Sequence, residues 1–103
     1  MRTITFDVNQ QKIKNTNSIA YVYSGSHNYL NLKFNFSNDW DDCFKAIGFV
    51  SKGYEIAYLL DADNSHTVPK EAFDVNTLTF YLVGKKKNYR IESQKFTIRL
   101  ATE

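Results

Sequence analysis

The sequence predicts an all-β fold, an antiparallel immunoglobulin-like β-sandwich of six to eight short strands. Apolar and polar residues alternate along Tyr29–Phe36, which is the two-residue period of a strand with one buried face. The apolar set is Leu30, Leu32, Phe34 and Phe36. Turn-forming residues recur between several such runs, and no stretch of ten residues has the period of an amphipathic helix. Because 103 residues leave room for one core, we expect a single domain over residues 1–103.

The first half of the chain contains four predicted strand segments. They are residues 3–8, a short segment around Ile13, residues 19–23 and residues 29–36. The first segment ends at the polar run Asn9-Gln10-Gln11, and residues 24–28 have the composition of a loop. After Phe36, the run from Ser37 to Asp42 predicts a turn or a single helical turn, because Ser and Asn side chains can cap backbone amides.

The second half contains the clearest hairpin signal. Phe44–Val50 and Tyr54–Leu60 flank Ser51-Lys52-Gly53, whose glycine accepts a positive φ. Pro69 has no amide hydrogen, which excludes a central strand there and favours a helical turn through Phe73. A second hairpin is then predicted, with a strand at residues 78–82, a turn at residues 84–88 and a last run from Tyr89 to Leu100.

The charge and the apolar runs exclude several classes of function. Thirteen Lys and Arg against 11 Asp and Glu leave a net charge of +2, spread from Arg2 to Arg99, which is too weak for a nucleic-acid-binding surface. No apolar run reaches the roughly 18 residues of a membrane span, and the amino terminus alternates instead of forming a secretion signal. The single Cys43 excludes an internal disulfide and is typical of synthesis in a reducing compartment.

No motif predicts an enzyme, a metal site or a cofactor site. The run Asp61-Ala62-Asp63-Asn64-Ser65 begins like a calcium loop, but His66 replaces the required glycine and Ala72 the bidentate glutamate. His27, His66 and Cys43 lack the close spacing of zinc ligands. A Cys-His nucleophile pair among these three remains a distant alternative, since Cys43 beside Phe44 is typical of a buried apolar side chain.

The candidate protein-binding residues are aromatic and basic. They are Tyr21, Tyr23, Tyr29, Trp40, Tyr54, Tyr58, Lys85, Lys86 and Lys87. The tyrosines either line a sheet face that docks onto a partner or form cross-strand pairs on a wet face. Trp40 is either an exposed anchor or a plug at one end of the sandwich, with its indole N–H bonded to a carbonyl. The three lysines form the tip of a hairpin, as a solvated turn that discourages edge pairing or as an anionic contact point.

Several short elements carry a resemblance to a known family. They are residues 32–40, Lys45-Ala46-Ile47-Gly48-Phe49, Tyr58-Leu59-Leu60-Asp61, Val68-Pro69-Lys70-Glu71, Phe80-Tyr81-Leu82-Val83-Gly84 and Arg90-Ile91-Glu92-Ser93. In order and spacing across residues 30–100 they resemble a β-sandwich domain of tail and baseplate proteins from phages and prophages of Gram-positive bacteria, similar to the N-terminal domain of the baseplate upper protein. The chain departs from that pattern by its three lysines before the last strand and by stopping at Glu103.

The resemblance implies a non-enzymatic structural module of a phage or prophage. Its expected partners are other phage structural proteins in a tail or baseplate assembly, or itself as a homo-oligomer, and its expected location is the virion, assembled in the host bacterial cytoplasm. The alternative is a phage-encoded inhibitor that binds and blocks a host defence protein such as an immune nuclease. Neither reading implies a cofactor.

Overall fold

The computed structural model describes residues 1–16, 22–23 and 28–101, which form nine strands and two 3-10 helices. The strands are β1 (Arg2–Asn9), β2 (Lys12–Asn15), β3 (Leu30–Phe36), β4 (Phe44–Ser51), β5 (Tyr54–Leu59), β6 (Ser65–Thr67), β7 (Thr77–Lys86), β8 (Tyr89–Glu92) and β9 (Phe96–Arg99). The 3-10 helices are Asn38–Trp40 and Lys70–Ala72. The predicted all-β sandwich is confirmed.

The strand count exceeds the predicted six to eight for two local reasons. Ser65–Thr67 forms a short strand that its polar sequence did not predict, and the last predicted run divides into β8 and β9. The predicted segment at residues 19–23 lies mostly outside the described residues.

The strands form two sheets. The first has the order β2-β1-β3-β6, and the second has the order β5-β4-β7-β8, with β9 also pairing with β7. All strand pairs are antiparallel except β1 and β3, which run parallel with Phe6 opposite Phe34. This parallel pair departs from the predicted antiparallel sandwich, because alternation reveals which face a residue occupies but not the direction of the neighbouring strand.

The core lies between the two sheets and is rich in phenylalanine. Phe6 and Phe34 of the first sheet lie 5.3 Å and 5.7 Å, between ring centroids, from Phe80 of the second. Phe96 of β9 lies 5.3 Å from Phe6 in an edge-to-face arrangement. The predicted register of β3 is confirmed, because Leu30, Leu32 and Phe34 are buried and Phe36 is half-buried against the core. Aromatic burial across both sheets therefore holds the sandwich closed.

The β4–β5 hairpin is as predicted, although its turn is shorter. Ser51 pairs with Tyr54, so the connection is the two residues Lys52 and Gly53. Both have positive φ, 51° and 80°, as a type I′ turn requires. This turn matches the twist of the flanking strands and places β5 at the edge of the second sheet.

A buried serine divides the last predicted strand into β8 and β9. The Oγ of Ser93 accepts a hydrogen bond from the Leu82 amide at 2.8 Å, and the Ser93 amide donates to the Leu82 carbonyl at 2.8 Å. The hydroxyl of Ser93 also donates to the Gln94 carbonyl at 2.9 Å. Ser93 thus completes the hydrogen bonding of β7 where neither β8 nor β9 supplies a ladder partner.

We expect Ser93→Ala to lower the free energy of unfolding by about 1 to 3 kcal/mol, because the buried Leu82 amide then has no acceptor. Urea denaturation followed by circular dichroism measures the change. Ser37→Ala is the control and should cost less, because the half-buried Ser37 hydroxyl accepts the exposed Gln10 amide and donates to Asp39 Oδ2, and both of these groups can bond to water instead. Equal losses for the two variants would contradict the role given to Ser93.

Candidate functional site

Strand β5 presents an open backbone edge. The Leu60 amide donates to the Lys45 carbonyl at 2.9 Å, which fixes the side of the strand that faces β4. Because the N–H and C=O groups of successive strand residues point alternately to opposite sides, those of Tyr54, Ile56 and Tyr58 face β4. Those of Glu55, Ala57 and Leu59 face away, and no other strand in the described part of the chain pairs with β5. Within that part of the chain, three alternate residues of β5 therefore present unpaired backbone N–H donors and C=O acceptors along its outer edge.

The other edges of the two sheets are protected in ways that β5 is not. Strand β2 carries Lys12 and Lys14, strand β6 has only three residues, and strands β8 and β9 have four each and carry charged side chains. Short length and charge are the usual devices against edge-to-edge association. Strand β5 has six residues, no proline or lysine, and a single charge at Glu55. Among the described edges, it is the longest and the least protected.

Exposed apolar side chains flank this edge on the outward face of the second sheet. Phe44 is 79% exposed and Leu59 is 68% exposed, and both line one shallow depression of about 210 Å³. Ala46, Ala57 and Val83 continue the apolar surface across β4, β5 and β7, since the strand register places them on the same face. The outward face of the first sheet differs, because its β1 and β3 positions are polar.

Those outward positions of the first sheet are Thr3, Thr5, Asp7, Asn31, Lys33 and Asn35. The contrast matters because a large exposed apolar side chain in a group marks an interaction surface more often than a single one does. We call the recess that the side chains of Phe44 and Leu59 line the outer depression.

A larger cleft lies at the other end of β5, beside its hairpin turn. It measures about 430 Å³, and Tyr54, Ile56 and Phe73 supply its apolar lining. Lys52, Lys70 and Glu71 stand at the same cleft and give it charges of both signs. Tyr54 is 74% exposed. We name this the Tyr54 cleft. Tyr54 and Ile56 point to one face of β5, whereas Glu55, Ala57 and Leu59 point to the other. The Tyr54 cleft and the outer depression therefore open on opposite faces of the strand.

A tyrosine on β7 braces the outward face next to the edge. The Tyr81 hydroxyl donates to Glu55 Oε1 at 2.7 Å, so its ring spans β4 to reach β5. The ring covers Gly48, where an added Cβ would lie 2.4 Å from Tyr81 Cζ, which explains the glycine at this position. The hydrogen bond to Glu55 raises the pKa of Tyr81, and burial and the carboxylate's charge add to the effect. This hydrogen bond holds the Glu55 carboxylate on the outward face of the sheet, away from the backbone groups of the β5 edge.

The predicted tyrosine surface is only partly present. Tyr54 is exposed at the cleft, but the Tyr58 ring is half-buried and lies 4.7 Å from His66 and 6.2 Å from Phe49. Tyr23 and Tyr29 are partly exposed and line a separate cavity of about 50 Å³ together with Phe73. For the four described tyrosines, the prediction of one docking face is wrong, because Tyr58 packs against the core and Tyr23 and Tyr29 line a separate cavity. Tyr21 lies outside the described residues.

Trp40 is not an exposed anchor, and that prediction is wrong. Its side chain is fully buried, and the indole Nε1 donates to the Gln10 carbonyl at 2.8 Å. The ring packs 4.9 Å from Phe36 and close above Gly84, where an added Cβ would lie 2.8 Å from Trp40 Cε3. The alternative interpretation, a plug at one end of the sandwich, is the one observed. The acidic neighbours stand at the surface while the indole turns inward.

The lysine run lies at the β7–β8 hairpin as predicted, but its amines are not equivalent. Lys86 is half-buried, donates to the Asp41 carbonyl at 2.8 Å and lies 5.1 Å above the Tyr89 ring. Lys85 is exposed on β7 and Lys87 is exposed in the turn. Because Lys86 ties the hairpin to the segment after Trp40, the three lysines do not form one basic tip.

In the described residues, the features that would indicate catalysis, metal binding or a membrane span are reactive thiols, metal-ligand groups, buried unpaired polar atoms and membrane-spanning helices. Cys43 is a free, buried thiol, and no group of three or more His, Cys, Asp or Glu in that part of the chain is placed to hold a metal ion. Every buried side-chain nitrogen and oxygen described has a hydrogen-bond partner. None of the helices in the described part of the chain has the length and apolar character that a membrane crossing requires. His27 lies outside the described residues.

No protein-family model, curated protein or solved structure matches the chain. The sequence does contain a signal for the outer depression. Phe44 follows Cys43, and Leu59 and Leu60 are adjacent, so apolar residues occupy both faces at these strand ends where strict alternation would place a polar one.

Proposed function

We propose that this chain is a non-enzymatic protein-binding module that receives an extended segment of a partner along strand β5. The observation that carries the proposal is the open backbone edge at Glu55, Ala57 and Leu59. An added strand would satisfy these groups with main-chain hydrogen bonds, the mode of recognition known as β-strand addition. Main-chain pairing supplies affinity for any extended segment, so the side chains beside the edge must supply selectivity.

The two recesses beside β5 are suited to that selectivity. Alternate residues of an added strand point to opposite faces of the sheet, so one set would approach the outer depression and the other the Tyr54 cleft. Phe44 and Leu59 favour an apolar residue in the first set. At the cleft, Lys52, Lys70 and Glu71 stand beside the apolar lining, which favours residues that are apolar at the base and polar at the tip.

We propose further that the partners are structural proteins of a phage tail or baseplate, and that the chain acts in the virion. This assignment is supported by the sequence resemblance over residues 30–100 and by a binding surface built without catalytic groups. Inhibition of a host defence protein would use the same edge with a different partner. No structural feature favours it over assembly, so the identity of the bound protein separates the two.

A proline at Ala57 tests the proposal. The Ala57 amide points away from β4, so proline removes an outward donor without removing a bond of the β4–β5 ladder. We expect tagged wild-type chain to capture phage tail proteins from cells that are producing the phage, and Ala57→Pro to capture at least about tenfold less. The folded state of each variant is checked by thermal denaturation.

Arg90→Pro is the matched control. Lys86 pairs with Tyr89 across the two-residue β7–β8 turn, so by alternation the amide of the exposed Arg90 also points outward, at the opposite edge of the same sheet. We expect this variant to capture as much tail protein as the wild type. Equal capture by Ala57→Pro would overturn the proposed surface, and recovery of a host defence protein without tail proteins would overturn the tail assignment.

A further inference from the structure

We propose that the strand added at this edge is β5 of a second copy of the chain, running antiparallel and centred on Ala57. This inference rests on the proposed function: a second copy occupies the edge reversibly, and a tail protein that adds its own strand would replace that copy. It follows from the sequence of the open edge, whose outward backbone groups belong to Glu55, Ala57 and Leu59. These positions are symmetric about Ala57, so a two-fold axis midway between Ala57 of one copy and Ala57 of the other uses all of them.

The backbone pairing is complete in this arrangement. Ala57 stands opposite Ala57 of the second copy, and the two residues exchange both of their hydrogen bonds. Glu55 stands opposite Leu59 of the second copy, and the symmetric pair repeats on the other side of the axis. A shift by two residues in either direction leaves outward groups of one strand beyond the end of the other strand's open edge, so the centred register makes the most bonds.

The side chains fit the same register. The small methyl groups of Ala57 stand directly opposite each other at the axis, on the same face of the joined sheets, and are too small to clash. Ile56 stands beside Tyr58 of the second copy, which pairs an apolar residue with an aromatic one. The two Glu55 carboxylates are about 13 Å apart, since four strand residues at roughly 3.3 Å each separate them, and salt screens charges at that distance.

Charges at the ends of β5 are complementary. In the centred register the hairpin turn at Lys52 lies at the level of Ala62 of the second copy. Asp61 and Asp63 flank that residue, and both are exposed. The hydrogen bond from Ser65 holds the Asp63 carboxylate at 2.6 Å and lowers its pKa. A lysine from each copy thus approaches an acidic turn of the other, and such rim charges favour association in the correct register.

The arrangement also extends the outer depression. Pairing across the axis joins the outward faces of the two second sheets, so Leu59 of one copy lies beside the outward face of the other copy's β5. Because a single pair of strands forms the contact, its area falls below the 1,200 to 2,000 Å² or so of a typical stable interface. We therefore expect a reversible dimer whose population rises with concentration, with a Kd on the order of micromolar or weaker.

Introducing a charge at the axis tests this inference. Ala57→Lys and Ala57→Glu each place like charges opposite one another in the dimer, which disfavours pairing. In sedimentation-equilibrium measurements at matched concentrations we expect each variant alone to self-associate at least about tenfold more weakly than the wild type. An equimolar mixture of the two should regain association, because the lysine then faces the glutamate.

Thr97→Lys is the control, since it adds the same charge to the same outward face at the far edge, and it should dimerise like the wild type. Wild-type chain that stays monomeric at about 1 mM overturns self-pairing, as does a mixture that associates no better than its components. These outcomes leave the β5 edge open to testing as a site for a different protein. If Ala57→Pro still captured tail proteins, the proposed function would fail separately from the dimer.

Discussion

Replacing Phe34 with alanine should lower the free energy of unfolding by about 3 to 5 kcal/mol. The side chain is 1% exposed, and its ring lies 5.7 Å, between centroids, from both Phe6 and Phe80. Its removal therefore empties a space bounded by both sheets, and such a cavity costs contacts in addition to the lost apolar burial. Against a total stability of roughly 5 to 15 kcal/mol, this change leaves a marginally folded domain.

Phe44→Ala is the matched control for Phe34→Ala. The substitution is chemically identical, but Phe44 is 79% exposed on the outward face, so we expect its effect on stability to stay within about 0.5 kcal/mol. Urea denaturation measures both variants. Similar losses for the two substitutions would show that the register of β3 or of β4 is wrong.

Replacing Trp40 with alanine should cost about 3 to 5 kcal/mol as well, for a partly different reason. The fully buried indole fills the end of the sandwich between Phe36 and Gly84, and its Nε1 donates to the Gln10 carbonyl. The variant loses apolar packing and that hydrogen bond together. Thermal and urea denaturation measure the loss.

Trp40→Phe separates the two contributions. It keeps an aromatic ring in the space but removes the indole N–H, so we expect a smaller loss than with alanine. The fluorescence of wild-type Trp40 should be blue-shifted and poorly quenched by acrylamide, since the ring is away from water. Strong quenching together with a small stability loss in Trp40→Ala would contradict the buried plug and restore the exposed anchor.

Much of the fold was predictable because it depends on local pattern. The alternation in β1, β3 and β7 gives the buried face of each strand, and Gly53 marks a hairpin turn because glycine accepts a positive φ. Pairing between distant segments was not predictable in the same way. The parallel contact of β1 with β3 depends on how the whole chain packs, which no local period encodes.

The site was less predictable than the fold. Residue type suggested Trp40 as an anchor, but the depth of the space beside Gly84 decides that the ring turns inward. Tyr54 and Tyr58 share one face of β5, but Tyr58 packs against His66 within the sandwich while Tyr54 lies beside the hairpin turn and is exposed. An open edge depends on which strand lacks a neighbour, and that is a property of the sheet order, so β5 could be recognised only from the assembled sandwich.

The outer depression shows where a sequence signal existed but was ambiguous. Phe44 and Leu59 interrupt the alternation at two strand ends, which is equally compatible with burial at a sandwich end and with exposure at a binding surface. Only their exposed fractions, 79% and 68%, distinguish the two. Because both side chains lie beside the least protected edge of the second sheet, they could contact apolar residues of a strand added there.

Amide hydrogen exchange shows directly whether a partner binds along the β5 edge. In the dilute chain alone, the amides of Glu55, Ala57 and Leu59 should exchange rapidly, while those of Ile56 and Tyr58 exchange slowly because they are bonded to β4. In the complex with the captured partner, we expect exchange at the three outward amides to slow at least about tenfold. Unchanged exchange at these three, with new protection elsewhere on the chain, would contradict binding at the β5 edge.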